Sequence, residues 1–142
     1  MRSKAQFGIL VLFFFSTGSL LVFGEEKLPN DVRWVRQSTE HETLCEQLFR
    51  QATMAILRTV KTEKSSGNLV VVVDLDETVL DNSFYQVERW KAGLNFTQDS
   101  WSDWVNRKEA GLIPGAKNFL NAMRKNGVRV VFLSNRMNDN LK

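Results

Sequence analysis

At 142 residues the chain can form one small domain with its own core and is too short for two. A hydrophobic content of 43% and a charged content of 25% are ordinary for a globular protein. The formal charge of +3 includes Arg2 and Lys4 in the leader; setting these two aside leaves 17 of the 19 bases against 16 acids, or +1, so a surface for a nucleic acid polymer is not indicated.

The first segment reads as an export signal. Met1-Arg2-Ser3-Lys4 gives a positive start, Phe7 to Phe23 is uncharged and mostly apolar, and Val22-Phe23-Gly24 offers small residues where a signal peptidase cuts. Residues 1–24 are therefore expected to be a signal peptide cleaved after Gly24, and 25–142 the mature chain. Membrane association through an uncleaved leader is the alternative, because the apolar run approaches the length of a span. Ser16-Thr17-Gly18-Ser19 interrupts that run and favours cleavage. No cysteine lies in or just after the leader, which leaves no site there for a lipid anchor.

Cys45 is the only cysteine, so no internal disulfide can form and the fold must be held by its core. Around it, Leu44, Leu48, Ala52, Ala55 and Leu57 recur near helical spacing with Glu, Gln and Arg between them. The pattern predicts one amphipathic helix from Thr39 to Val60, with Cys45 on or near its apolar side. His41, the only histidine, has no histidine partner and reads as a solvated residue near the helix start rather than a metal ligand or a base. Lys61 to Asn68 is polar, and Ser65-Ser66-Gly67-Asn68 reads as a helix stop and turn.

Leu69-Val70-Val71-Val72-Val73 follows, ending in Asp74-Leu75-Asp76. An aliphatic run of this kind predicts a strand buried on both faces, hence a parallel sheet covered by helices. Carboxylates at the carboxyl end of such a strand lie where open α/β sheets bind ligands. Asp81-Asn82-Ser83 then reads as a turn, and aromatics crowd in as Phe84, Tyr85, Trp90, Phe96, Trp101 and Trp104. Thr97 to Ser100 predicts a helix start and Gly111 a helix end. Pro114 fits the first turn of another helix, Gly115 to Asn126, closed by Gly127. Val128 to Leu133 predicts a second strand, ending in Ser134-Asn135-Arg136, so the strand, helical crossover and strand make a parallel unit. There is no internal repeat or low-complexity tract.

The chemistry follows from the strand ends. A carboxylate such as Asp74 can attack phosphorus to form an acyl phosphate, which splits one hard displacement into two easier ones. Asp76, two residues on, can donate a proton to the leaving oxygen and later take one from water. Two anions beside a phosphate need a divalent cation, and oxygen ligands select Mg²⁺. Thr78 can hydrogen-bond within the turn and orient Asp76, while Val79 and Leu80 pack the loop onto the core. The Ser134 hydroxyl and the Asn135 backbone N–H can bind phosphate oxygens. An acidic pair that merely caps a turn is the competing reading; the four valines before it, Thr78 after it and a second strand ending in Ser134-Asn135 weigh against that.

Asp74-Leu75-Asp76-Glu77-Thr78-Val79-Leu80 resembles the first motif of the haloacid dehalogenase superfamily, and Ser134 after an apolar strand resembles the second. Together with Asp81-Asn82-Ser83-Phe84-Tyr85, Trp101, Trp104, Ile113-Pro114-Gly115-Ala116, Ser134-Asn135-Arg136 and, more weakly, Trp34, these residues are similar to the class C bacterial acid phosphatases, also called lipoprotein-type 5′-nucleotidases. The resemblance implies an α/β fold, a haloacid dehalogenase-like Rossmannoid parallel sheet with helical additions. It also implies an exported Mg²⁺-dependent phosphomonoesterase of the periplasm, cell surface or exterior, acting on nucleoside monophosphates through an aspartyl-phosphate. Asp74 would be the nucleophile and a Mg²⁺ ligand, Asp76 the general acid and base and a ligand through its backbone carbonyl, with Ser134 and Asn135 binding phosphate. Tyr85, Trp90 and Trp104 would be candidates for stacking on the substrate base, although each tryptophan is more often a packing residue. The superfamily's third-motif lysine and fourth-motif acids have no counterpart here, since Asp139 and Lys142 stand too close to Ser134 in sequence. The chain is thus expected to be an N-terminal fragment, incomplete at the C-terminus and poorly active alone. A phosphotransferase of the same superfamily and a non-catalytic secreted binding or storage protein are the alternatives.

Overall fold

The computed structural model describes residues 27–63 and 69–137; the leader and the turn at 65–68 lie outside them. Helix α1 spans Asn30–Gln37 and α2 Thr39–Glu63, followed by strand β1 (Val70–Asp74), the short strand β2 (Leu80–Asp81), helices α3 (Ser83–Lys91) and α4 (Gln98–Arg107), short strand β3 (Gly111–Leu112), helix α5 (Ala116–Lys125) and strand β4 (Arg129–Leu133). The expected long helix is present and runs three residues past Val60. Among the described residues no helix is long and apolar enough to cross a membrane.

Strands β1 and β4 pair in parallel, with Val70 opposite Arg129 and Asp74 opposite Leu133. A parallel pair needs a long crossover, and the chain between them supplies two helices, an antiparallel β2–β3 pair and α5. Helix α5 and α2 cover one face of the sheet. Phe119, Met123 and Val128 are buried there against Phe49, Ile56, Val60, Val71 and Val73, and the Phe49 and Phe119 rings lie 5.4 Å apart. A second cluster, Val79, Ile113 and Ala116 with Cys45, Phe49, Leu75 and Leu80, packs the loop after β1 onto the same layer, as expected for Val79 and Leu80.

The opposite face of the sheet differs from the expectation of burial on both sides. Val71 and Val73 are half-buried, whereas Val72 is 61% exposed and Leu133 67%. The physical reason is geometric: side chains alternate across a strand, and both covering helices among the described residues lie on one side.

Two local readings also shift. Helix α4 begins where expected, with Thr97 and Ser100 forming a reciprocal capping box. It ends at Arg107, four residues before Gly111, because Lys108 adopts the left-handed conformation (φ 56°) that stops it; Gly111 instead joins β3. Helix α5 starts after Gly115, itself left-handed at φ 88°, so Pro114 precedes the helix. Asp81-Asn82-Ser83 is the entry to α3, a helix the aromatic spacing did not reveal; the Asp81 carboxylate accepts from the Ser83 N–H at 2.8 Å. Helix α1, also not anticipated, is tied to α3 by Arg36, which donates to the Ser83 hydroxyl at 3.1 Å and lies 3.9 Å over the Phe84 ring.

Candidate active site

The site is built where β1 ends. The backbone leaves Asp74 in a tight loop in which Val79 and Leu80 both donate to the Leu75 carbonyl, at 3.0 and 2.8 Å, and Glu77 donates to the Leu80 carbonyl at 2.9 Å. Glu77 takes a left-handed conformation, φ 54°, at the apex of this loop. The fold brings Asp74 and Asp76 to the carboxyl end of β1 and Ser134 and Asn135 to the carboxyl end of its parallel neighbour.

Asp74 is exposed, and its carboxylate accepts a 3.3 Å bond from the Thr78 hydroxyl. Thr78 was expected to orient Asp76; it holds Asp74 instead, because four residues of this loop carry it back over the end of the strand. Asp76 is held from two other sides. Asn82 donates to its Oδ1 at 2.9 Å, and Arg136 makes a forked pair, Nε to Oδ2 at 2.9 Å and Nη2 to Oδ1 at 2.5 Å. Burial pushes the Asp76 carboxyl up, but hydrogen bonds from Arg136, Asn82 and Ser134 and the guanidinium charge together hold it below the ordinary value. For Glu77, burial first and the charges of Asp76 and Asp81 next push the carboxyl up, against hydrogen bonding to Asn82.

Beside these groups lies a cleft of about 470 Å³, with Asn82, Asn135 and Arg136 on one wall and Tyr85, Phe96 and Trp101 on another. The aromatic rings meet edge-on, Tyr85 to Trp101 at 5.2 Å and Tyr85 to Phe96 at 6.2 Å, and the Tyr85 hydroxyl bonds to Ser100 at 2.9 Å. Tyr85 therefore reaches the cleft. Trp104 does not offer a face for a base: it is 2% exposed, packed with Tyr85 and Val105, and its indole N–H donates to Asn82 at 2.9 Å. Trp90 is half-buried and is not among the cleft residues. His41 is also not solvated as expected. It is half-buried, edge-on to Trp34 at 6.1 Å, with its Nε2 3.6 Å from the Cys45 sulfur.

Arg136 and Asn82 are the site residues that sequence reasoning left without a role. Arg136 stands 60 positions from Asp76, and only the parallel pairing brings them together. For Asn82 there was a signal: a polar residue between a motif and an aromatic helix, read too simply as part of a turn.

A divalent cation is testable against this donor set. Among the described residues no three His, Cys, Asp or Glu side chains converge to hold a metal. The exposed Asp74 carboxylate and the Asp76 backbone carbonyl are hard oxygens of the type such a cation takes, and would supply part of its shell.

Fold and site define an α/β protein with its polar groups gathered at the carboxyl ends of parallel strands. Residues 24–142 match the family model for the HAD (haloacid dehalogenase) superfamily, subfamily IIIB, acid phosphatase, and the chain belongs to that family. Among solved structures it is similar to the class C acid phosphatase from Bacillus anthracis, at 32% identity and a TM-score of 0.70. The same phosphatase with tungstate bound matches at 32% identity and a TM-score of 0.66. In both cases the match covers 78% of this chain and 46% of the other, so the chain spans about half the length of these relatives.

Proposed function

We propose that this chain carries the nucleophile-bearing part of an exported phosphomonoesterase that hydrolyses nucleoside monophosphates. The observation that carries the reading is the grouping of Asp74, Asp76 and Ser134 at the adjacent ends of two parallel strands. Tungstate bound by the related phosphatase, an oxyanion of phosphate-like shape, supports a phosphate-like ligand. The charged start and apolar stretch of residues 1–24 support export.

In this mechanism a carboxylate oxygen of Asp74 attacks phosphorus, and the bond from phosphorus to the ester oxygen breaks as the aspartyl-phosphate forms. Asp76 gives its proton to the departing oxygen, then takes one from the water that attacks the aspartyl-phosphate, which releases phosphate and restores Asp74. The Ser134 hydroxyl and the Asn135 N–H hold phosphate oxygens. Arg136 lines the cleft and grips Asp76, so an incoming phosphate competes for its guanidinium and frees the carboxyl to carry its proton. Asp74 and the Asp76 backbone carbonyl would hold a Mg²⁺ ion, whose charge offsets that of the phosphate and the carboxylates. The wall formed by Tyr85, Phe96 and Trp101 suits a flat base, which stacks on aromatic faces with little demand on sequence.

The test is Asp74→Asn in the full-length protein, assayed with a nucleoside monophosphate and Mg²⁺. Hydrolysis is expected to fall at least ~10³-fold, as for loss of a nucleophile. Retained hydrolysis would show that the nucleophile is misassigned, and an inactive unmutated protein would favour the non-catalytic alternative.

A further inference from the structure

We propose that Asn82, braced by the Trp104 indole, is the positioning residue that keeps the Asp76 carboxyl oriented toward the reacting ester. The inference rests on the phosphomonoesterase reading above and adds to it a residue that touches neither phosphate nor leaving group.

Asn82 is 1% exposed, and both ends of its amide are committed. Its Oδ1 accepts from Trp104 Nε1 at 2.9 Å and its Nδ2 donates to Asp76 Oδ1 at 2.9 Å. The orientation follows from chemistry: an indole N–H is a donor only, so the amide oxygen must face it and the NH₂ must face the carboxylate. Asn82 occupies the N-cap of α3, where asparagine ordinarily turns its side chain onto the helix's own N–H groups. Here it makes no such cap bond, and the Asp81 carboxylate takes the Ser83 N–H instead. The side chain is thus turned toward Asp76 at the expense of its usual local use.

Arg136 and Asn82 hold Asp76 in different ways. Both line the cleft, but an incoming phosphate competes for the Arg136 guanidinium, whereas the Asn82 amide is anchored by the Trp104 indole and stays whether Arg136 remains or leaves. Oδ1 accepts from both Asn82 and Arg136, Oδ2 accepts from Arg136, and Ser134 also hydrogen-bonds the carboxyl. Once phosphate draws Arg136 away, Asn82 still pins Oδ1 and keeps the carboxyl oriented while it passes its proton to the ester oxygen and recovers one from water. Trp104, 2% exposed and packed against Tyr85 and Val105, keeps the amide from turning.

Proton donation matters most when the leaving group is a poor one, which supplies a readout that a general folding defect would not imitate. In the full-length protein with Mg²⁺, kcat and KM are measured for an alkyl phosphate and for nitrophenyl phosphate in the unmutated protein, Asn82→Leu and Trp104→Phe. Asn82→Leu is expected to lower kcat for the alkyl ester ~10²-fold, the scale of general acid catalysis, while nitrophenyl turnover falls only several-fold and KM changes little for either. Trp104→Phe, which keeps a ring but loses the N–H, should show the same imbalance more weakly, and it carries the test if Asn82→Leu does not fold. Equal losses for both esters, or no loss in a folded variant, would overturn the assignment. An unmutated protein inactive toward both esters would overturn the phosphomonoesterase reading itself, and this inference with it.

Discussion

Glu77 sits between the acidic pair and the turn with φ at 54°, a conformation that a side chain with a single β-substituent tolerates and a β-branched one does not. Glu77→Val is expected to destabilise the fold by about 1–2 kcal/mol, while Glu77→Gly, which relieves the strain but frees the unfolded chain, should stay within about 0.5 kcal/mol. Urea unfolding of the two variants measures the difference. At this scale the sequence was readable wherever a role depends on near neighbours. Asp74 and Asp76 at a strand end and the packing of Val79 follow from the local pattern. The partner of Thr78 did not, because it depends on how the loop folds back, and neither did the grip of Arg136 on Asp76, which needs two strands to meet. Trp104 shows the same limit from the other side: its composition suits base stacking, but its burial assigns its N–H to Asn82.

Among the elements, the chain just before α5 packs tightly against α2 at Gly115. A Cβ on Gly115 would lie 3.0 Å from the Glu46 Cα and 3.1 Å from the Phe49 Cβ, and φ there is 88°. Neither neighbouring atom can swing aside, so Gly115→Ala combines backbone strain with overpacking and is expected to cost at least about 2 kcal/mol in a denaturant titration. Helices α3 and α4 are joined at the surface by Arg107, whose guanidinium forks onto Glu88 at 2.7 and 2.8 Å and lies 4.8 Å over the Trp104 ring. Hydrogen bonding to Arg107 holds the Glu88 carboxyl below its ordinary 4.5. A carboxyl lowered in the folded state contributes stability above its unfolded value and loses it as pH falls through the folded one. The urea midpoint of the unmutated protein should therefore drop more between pH 7 and pH 3 than that of Glu88→Gln. The gap should be small, and smaller still in high salt, because both groups are largely exposed. The long helix and second strand were legible from periodicity. The end of α4 was not, since Lys108 rather than a glycine takes the left-handed cap.

For the molecule as a whole, among the described residues one layer of helices covers one face of the sheet, with Met123 fully buried against it, and Tyr85, Trp104 and Val105 form a separate buried cluster. Met123→Ala is expected to destabilise by about 2–5 kcal/mol, which calorimetric or denaturant unfolding can check. The valine run was read as buried on both sides because an apolar sequence records what a strand can tolerate on each face; which faces are covered depends on the elements packed there, and here α2 and α5 share one.

The parallel register between β1 and β4 carries a last consequence, one of timing. Val70 pairs with Arg129, so nearly sixty residues must be gathered in before the first rung of the ladder can close. Closing so long a loop is an entropic barrier that non-local pairing must pass before any contact rewards it. Arg136 and Ser134 reach Asp76 only through that same event, since both follow β4 directly. Sheet and site are therefore expected to mature together, and a chain that has formed its helices but not this ladder would hold its acidic pair without the Arg136 guanidinium that restrains it.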